Sequence, residues 1–168
     1  MTTSAVLPEG VNLEELLERL RHLSWGAADI LIAYASGIQP PFGFPRILSV
    51  QDGVEGPVSA ADLAVNKWLL GGLESDFPRA DWMLLSEESA KEKSFQASPF
   101  DPEWLWVLDP LDGTKDFLQG NGEYAVHLAL VKGHVPLLGV VLLPAVEELW
   151  FGVSGVGTWC ESRNGKKT

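Results

Sequence analysis

The 168-residue chain is about one domain long, and 46% hydrophobic with 21% charged residues is a globular rather than a disordered composition. A formal net charge of −11, from 23 acids against 12 Lys and Arg, argues against a polyanion-binding surface such as a nucleic-acid groove. It leaves room for a small phosphorylated substrate, because a bound cation reverses the local sign. The single cysteine, Cys160, cannot form an intrachain disulfide and suits a reducing compartment. Met1 to Gly10 lacks the positive n-region and apolar stretch of a signal peptide, and the longest apolar run, Val135 to Val146, is broken by Pro136, Gly139 and Pro144. The expectation is a soluble, cytoplasmic protein with no membrane partner.

Residues 1–11 are expected to be a flexible N-terminus and 12–168 one α+β unit. Asn12 is an N-cap candidate, with Glu15 three residues on completing a capping-box pair. Leu13, Leu16, Leu17, Leu20, Ala27, Ile30, Leu31 and Tyr34 recur at helical spacing, and Gly37 is a natural stop. Residues 37–57, rich in Gly and Pro, read as loop with one strand at Arg46 to Val50. Ser59-Ala60-Ala61-Asp62 reads as a second capping box, opening a helix with Val65, Trp68 and Leu69 on one face and Gly71-Gly72 closing it.

The periodicity then changes. Trp82 to Leu85, Trp104 to Leu108, Tyr124 to Val131, Val135 to Leu143 and Glu148 to Phe151 are short β-rich runs, and Lys132-Gly133-His134 separates two of them at hairpin length. Several runs are apolar at successive positions, which predicts a sheet covered on both faces. The fold class expected is α+β, with layered helices packed on a mostly antiparallel sheet. Near the end, Gly157 to Glu161 reads as a strand and Arg163-Asn164-Gly165 as a tight turn whose returning partner is cut short at Thr168, so an incomplete polypeptide is expected. His127, inside an apolar run, reads as a core histidine rather than a ligand.

Nine acids lie between Asp81 and Asp116, against three lysines. Most of that excess, Glu92, Asp101 and Glu103 included, reads as solvated surface. Asp109 and Asp112 differ. Asp109 ends the apolar run Trp104 to Leu108, and Asp112 lies three residues on, across a Pro-containing turn. Two carboxylates that close repel unless a proton or cation intervenes, and Mg²⁺ takes oxygen ligands readily. Glu87 and Glu88 follow the run Trp82 to Leu85 beyond Ser86; if the two strands are neighbours, Glu87 and Asp109 emerge at one sheet edge. The i to i+3 carboxylate spacing weakens a covalent aspartyl-phosphate route, which uses i and i+2. A calcium-binding EF-hand loop opened at Asp109 would place Glu where Gly120 stands. Metal-activated water remains. Gly113 to Leu118 reads as the start of a short helix whose free N–H groups suit a phosphate, with the Thr114 hydroxyl near the attacking water. Asp116 reads as a first-turn acid favoured by the helix dipole.

These residues closely resemble the inositol monophosphatase superfamily of metal-dependent phosphatases, and within it the 3′(2′),5′-bisphosphate nucleotidase branch. The matching stretches are Pro57 to Asp62, Leu85-Ser86-Glu87-Glu88-Ser89, Trp106 to Phe117 with Asp109-Pro110-Leu111-Asp112-Gly113-Thr114 at its centre, and Asn121-Gly122-Glu123-Tyr124 through Val131. The resemblance implies the N-terminal α+β domain of that fold. It implies Glu87, Asp109, Asp112 and the backbone carbonyl of Leu111 as metal ligands, and Gly113 and Thr114 as phosphate holders. Glu87 would bridge a metal and the nucleophilic water, whose proton Thr114 and Asp62 would accept. Local sequence alone favours capping for Asp62; the resemblance reverses that order.

The same resemblance implies two or three Mg²⁺ ions in a complete enzyme, inhibition by Li⁺, and compatibility with a homodimer. The activity it implies is hydrolysis of the 3′-phosphate of adenosine 3′,5′-bisphosphate, with the sulfated form as a second substrate. The alternatives are an inositol-1-phosphate or fructose-1,6-bisphosphate phosphatase, or a truncated, non-catalytic metal-binding domain. Three departures stand out: Gln51 lies where the family commonly has Lys, Ser59 replaces Thr, and no Trp-Asp pair follows residue 117. That pair belongs to the family's C-terminal half.

Overall fold

A computed structural model describes residues 7–46, 57–92, 102–165 and 167–168. Apart from Arg46, the strand expected over 46–50 lies outside the described residues, as do Gln51 and Asp101.

Helix α1 spans Leu13–Ala35. Its start is fixed as the capping pattern predicts: the Asn12 side chain accepts from the Glu15 N–H at 3.1 Å. Its end is the expected Gly37, in the left-handed region at φ 66°, with the Ser36 N–H donating back to the Ile32 carbonyl. Leu16, Leu20, Ala27, Ile30 and Leu31 are fully buried on one stripe.

Helix α2 spans Pro57–Asp76 and corrects the sequence reading at both ends. It begins two residues before Ser59, with Pro57 at the first helical position, where its fixed φ and missing N–H are tolerated. Asp62 therefore sits in the second turn and is no capping residue. The helix also runs through Gly71-Gly72 instead of stopping there. The reason is tertiary: a Cβ on Gly72 would lie 2.2 Å from Leu23 Cδ2, and one on Gly26 would lie 2.5 Å from the Trp68 ring. These glycines let α1 and α2 approach closely. Trp68 locks the pair further, its indole N–H donating to the Leu23 carbonyl at 2.9 Å.

The sheet runs in sequence order, β1 Met83–Ser86, β2 Trp104–Asp112, β3 Ala125–Lys132, β4 Val135–Leu143, β5 Glu148–Val153 and β6 Gly157–Ser162. β1 pairs with β2 in parallel, and every later neighbour is antiparallel. A short helix α3, Glu87–Glu92, follows β1, and α4, Thr114–Gln119, follows β2. The β3–β4 turn is the expected hairpin, shortened to two residues because Lys132 belongs to β3, with Gly133 and His134 both at positive φ.

One sheet face is the core. Trp106, Leu108, Leu128, Leu130, Leu138, Val140, Phe151 and Val153 are buried there with α1 and α2. The other face departs from the expectation of two covered faces. Val107, Val141 and Trp150 remain exposed there, and neither long helix packs on it. Apolar side chains on that face gave the strands a doubly buried look without a second layer among the described residues. Beyond β6, the Gly165 N–H bonds back to the Ser162 carbonyl, and Thr168 and Cys160 exchange both backbone hydrogen bonds. The return leg of the final turn is thus paired at its first positions.

Candidate metal and phosphate site at the β1–β2 edge

The parallel register of β1 and β2 places Leu85 beside Val107 and Ser86 beside Leu108, so Glu87 and Asp109 emerge next to one another. This is the relationship the sequence made conditional on strand adjacency. Ser86 then sets the direction of Glu87. Its buried hydroxyl caps α3, accepting from the Ser89 N–H at 3.0 Å, while the Ser86 N–H donates to Ser89 Oγ at 2.9 Å. Glu87 is therefore the first helical residue of α3, held just above the sheet edge.

On β2 the strand does not stop at Leu108, as the apolar run suggested, but continues to Asp112. Asp109 pairs with His127 and Asp112 with Ala125, and the register shifts between them. Pro110 lies in that irregularity, where its missing N–H costs no ladder bond. The segment is thus a bulged strand rather than a turn. The Leu111 N–H donates to Asp109 Oδ1 at 3.2 Å and fixes that carboxylate. Gly113 follows at φ 84°, and a Cβ there would lie 2.6 Å from the Glu123 carbonyl oxygen. No other residue fits without moving backbone. The chain turns into α4 at this point, and the Thr114 hydroxyl donates to the Leu111 carbonyl at 3.4 Å. Asp116 accepts from the Asn121 side chain at 2.7 Å, and Asn121 Oδ1 in turn accepts from the Glu123 N–H. Its role in holding the loop after α4 agrees with a non-catalytic reading.

Asp62 comes from α2, which packs against β2 and touches both α3 and α4. The residue is 7% exposed, uncommon for an acid on a helix.

His127 is the residue that sequence reasoning misplaced. It is no core histidine: its side chain is 43% exposed, on the open sheet face. Val126 and Leu128 point into the core, so strict strand alternation turns His127 outward, opposite Asp109. Its Nδ1 lies 3.9 Å from Asp112 Oδ2. One ligand atom from each of Asp109, Asp112 and His127 falls within 4.8 Å of the others. The alternation was the available signal; a continuous apolar run concealed it.

Burial raises the Asp109 pKa above the usual carboxylate value, and the Glu87 charge and, less strongly, the Asp112 charge push it further. The Leu111 N–H opposes that shift. Glu87 and Asp112 thus both repel the half-buried Asp109 carboxylate, an arrangement that a dication relieves. Oxygen donors on this spacing suit Mg²⁺, so the residues fit the metal that the resemblance implies. Two hollows flank the pair. One of about 450 Å³ is bordered by Leu85, Glu87, Asp109, His127 and Val141. The other, about 320 Å³, is bordered by Asp112, Gly113, Glu123 and Tyr124. A larger hollow of about 580 Å³ near Gly155 has no titratable group in its wall and offers no chemistry.

Comparison with known proteins agrees with this fold. A profile described as the inositol monophosphatase family matches residues 12–168. The 3′(2′),5′-bisphosphate nucleotidase CysQ of Salmonella typhimurium is 34% identical over 142 residues, covering 83% of this chain and 52% of that protein. The fructose-1,6-bisphosphatase/inositol-1-monophosphatase of Aquifex aeolicus is 43% identical over 65 residues, 39% of this chain and 24% of that protein. The crystal structure of CysQ from Bacteroides thetaiotaomicron superposes with a TM-score of 0.61 at 26% identity, covering 90% of this chain and 51% of that one. The chain spans about half the length of the curated relatives it matches over most of its own length.

Proposed function

The chain belongs to the inositol monophosphatase family, and from that premise we propose that it forms the metal-binding part of a Mg²⁺-dependent phosphomonoesterase. The substrate is adenosine 3′,5′-bisphosphate, with its sulfated form as a second, and the bond broken is that of the 3′-phosphate. The observation carrying this reading is the convergence of Glu87, Asp109 and Asp112 at one sheet edge.

Glu87, Asp109, Asp112 and the Leu111 carbonyl would hold the cation. When bound, the ion supplies Lewis acidity and neutralises phosphate charge. Glu87 orients the attacking water from the first position of α3. The Thr114 hydroxyl donates its own proton to Leu111, which leaves its lone pairs to accept from that water. Asp62, buried on the adjoining helix, is the final proton acceptor. The Gly113 and Thr114 amides hold the phosphate where α4 begins. Water oxygen bonds to phosphorus, the bond to the 3′ oxygen breaks, and the leaving sugar oxygen takes a proton from solvent, to which Asp62 later releases the one it accepted. The free thiol of Cys160 supports a reducing, cytoplasmic setting for the reaction.

A second reading, an inositol-1-phosphate or fructose-1,6-bisphosphate phosphatase, is favoured by the higher local identity of the Aquifex aeolicus relative, but that match reaches 39% of the chain. Parallel assays of phosphate release with Mg²⁺ from the three substrates decide. The nucleotide is expected to react fastest; a preference for inositol-1-phosphate overturns the nucleotidase assignment.

A further inference from the structure

We propose that the hollow on the solvent-facing side of the α1–α2 pair binds a mononucleotide, that is, an aromatic base carried with a phosphate. The hollow has a volume of about 390 Å³, within the range of small-molecule sites. Phe42, Trp68 and Gly71 border it together with the basic side chains of Arg19, His22 and Lys67. None of these residues belongs to the metal and phosphate site, so the proposal stands apart from the phosphatase reading.

The aromatic wall is held against backbone strain. Phe42 sits at φ 61°, in the left-handed region that a bulky residue rarely adopts. Strain of this kind clusters at ligand clamps. Here it lays the ring flat on Trp68, with centroids 4.1 Å apart and planes 12° from parallel. Trp68 is itself pinned by its hydrogen bond to the Leu23 carbonyl. Phe42 is still 51% exposed, so the ring face turned away from Trp68 is presented to a further planar ring. A base stacks well on such a face.

Gly71 points the same way. Gly72 beside it is required by Leu23, but a Cβ on Gly71 would meet nothing within 4 Å. Glycine inside a helix is unfavourable relative to alanine, and no neighbour among the described residues accounts for this one. Bare backbone there lets a ligand approach closely. The charge supplies the other half of the specificity. In a chain of net charge −11, Arg19, His22 and Lys67 border one hollow against a single acid, Asp76. Neither Arg19 nor Lys67 has an ion pair among the described residues. Guanidinium and ammonium groups bind phosphate through charge-assisted hydrogen bonds, and two permanent cations suit a phosphate dianion better than a carboxylate. An inorganic anion would leave the Phe42 ring uncovered, and a neutral ring would leave the cations unanswered.

The test is calorimetric titration with adenosine 5′-monophosphate in EDTA, which removes the divalent cations that the β1–β2 edge needs to hold a phosphate. The wild type is expected to bind at a single site, with adenosine and inorganic phosphate each at least about tenfold weaker. Phe42→Leu, which keeps an apolar side chain on Trp68, and Lys67→Glu should each weaken binding by about tenfold or more. Asp112→Asn should leave it within about twofold, and circular dichroism confirms that each variant is folded. Gly71→Ala gives a readout that a purely structural role would not: the added methyl should raise the unfolding temperature while weakening the nucleotide. Binding that survives Phe42→Leu and Lys67→Glu but is lost in Asp112→Asn places the ligand at the β1–β2 edge and overturns the proposal. Equal affinity for inorganic phosphate, or no binding at millimolar nucleotide, overturns it too, and both leave the metal site untouched.

Discussion

Arg21 of α1 forks onto both carboxylate oxygens of Glu161 in β6, its Nη2 donating to Oε1 at 2.8 Å and its Nε to Oε2. The Glu161 side chain is 2% exposed, and Trp159 Nε1 donates to the same Oε1 at 2.8 Å. The pair ties the first helix to the last strand, 140 residues apart in sequence. Arg21→Ala leaves a buried carboxylate with its main partner gone and is expected to cost about 3 kcal/mol in urea unfolding. A cost below about 1 kcal/mol would show that Trp159 and Lys167, whose Nζ lies 3.5 Å from Glu161 Oε1, suffice.

The same pair gives the fold an acid limit. The hydrogen bond from Arg21, against the opposing effect of burial, holds the Glu161 carboxyl at about 2, below its ordinary 4.5. A depressed carboxyl stabilises the folded state above its unfolded value, and that contribution is lost as pH falls from about 4.5 towards about 2. Unfolding free energies of the wild type and Glu161→Gln should therefore differ by about 3 kcal/mol at pH 6 and converge only as pH falls below about 2. A gap that stays constant across this range would contradict the assignment.

Gly26→Ala tests the helix pair. The added Cβ meets the Trp68 ring at 2.5 Å, and that ring is pinned by its hydrogen bond to Leu23 and by stacking on Phe42 at 4.1 Å. An unpinned ring would shift cheaply, but this one cannot. The expected loss is about 1–3 kcal/mol in chemical denaturation, outweighing the gain of up to about 1 kcal/mol that alanine normally gives over glycine in a helix.

Gly113→Ala should lower both stability and phosphate release. Its φ of 84° costs an L-residue about 1–2 kcal/mol, and the Glu123 carbonyl oxygen leaves no room for the methyl. Thermal unfolding and phosphate release from adenosine 3′,5′-bisphosphate should fall together. Full activity in a destabilised variant would remove Gly113 from the phosphate-holding role.

Asp112→Asn separates chemistry from folding. Asp112 is exposed, and its charge adds to the forces that raise the Asp109 pKa, so the metal-free variant should be no less stable than the wild type. Mg²⁺ affinity and phosphate release should both drop by at least about tenfold. Retained turnover with weakened Mg²⁺ binding would place the essential cation elsewhere.

Much of this was legible in the linear sequence because it is encoded locally. Asn12, Glu15 and Gly37 bound α1 through contacts within a few residues. Gly133-His134 closes a hairpin whose strands are adjacent in the chain. Asp109 and Asp112 are separated by so little chain that their repulsion follows from spacing alone. The misreadings arose where a local signal met a tertiary demand. Gly71-Gly72 looked like a helix end and is a packing surface. Pro110 looked like a turn and lies in a bulge, and Ser59 to Asp62 looked like a cap inside what is already helix.

The sequence by itself determined the order of the two long helices and the six strands and the acidic pair, since capping, periodicity and short-range charge repulsion act between near neighbours, and its matching stretches gave the family. The tertiary structure alone decided which edges meet. The parallel pairing of β1 with β2 brings Glu87 to Asp109, and the antiparallel pairing of β2 with β3 sets His127 opposite Asp109. Burial of one sheet face under α1 and α2 turns His127, Val141 and Trp150 to the other. Register and facing depend on hydrophobic burial summed over the whole sheet, and a one-residue slip reverses them. No single stretch of sequence holds that sum.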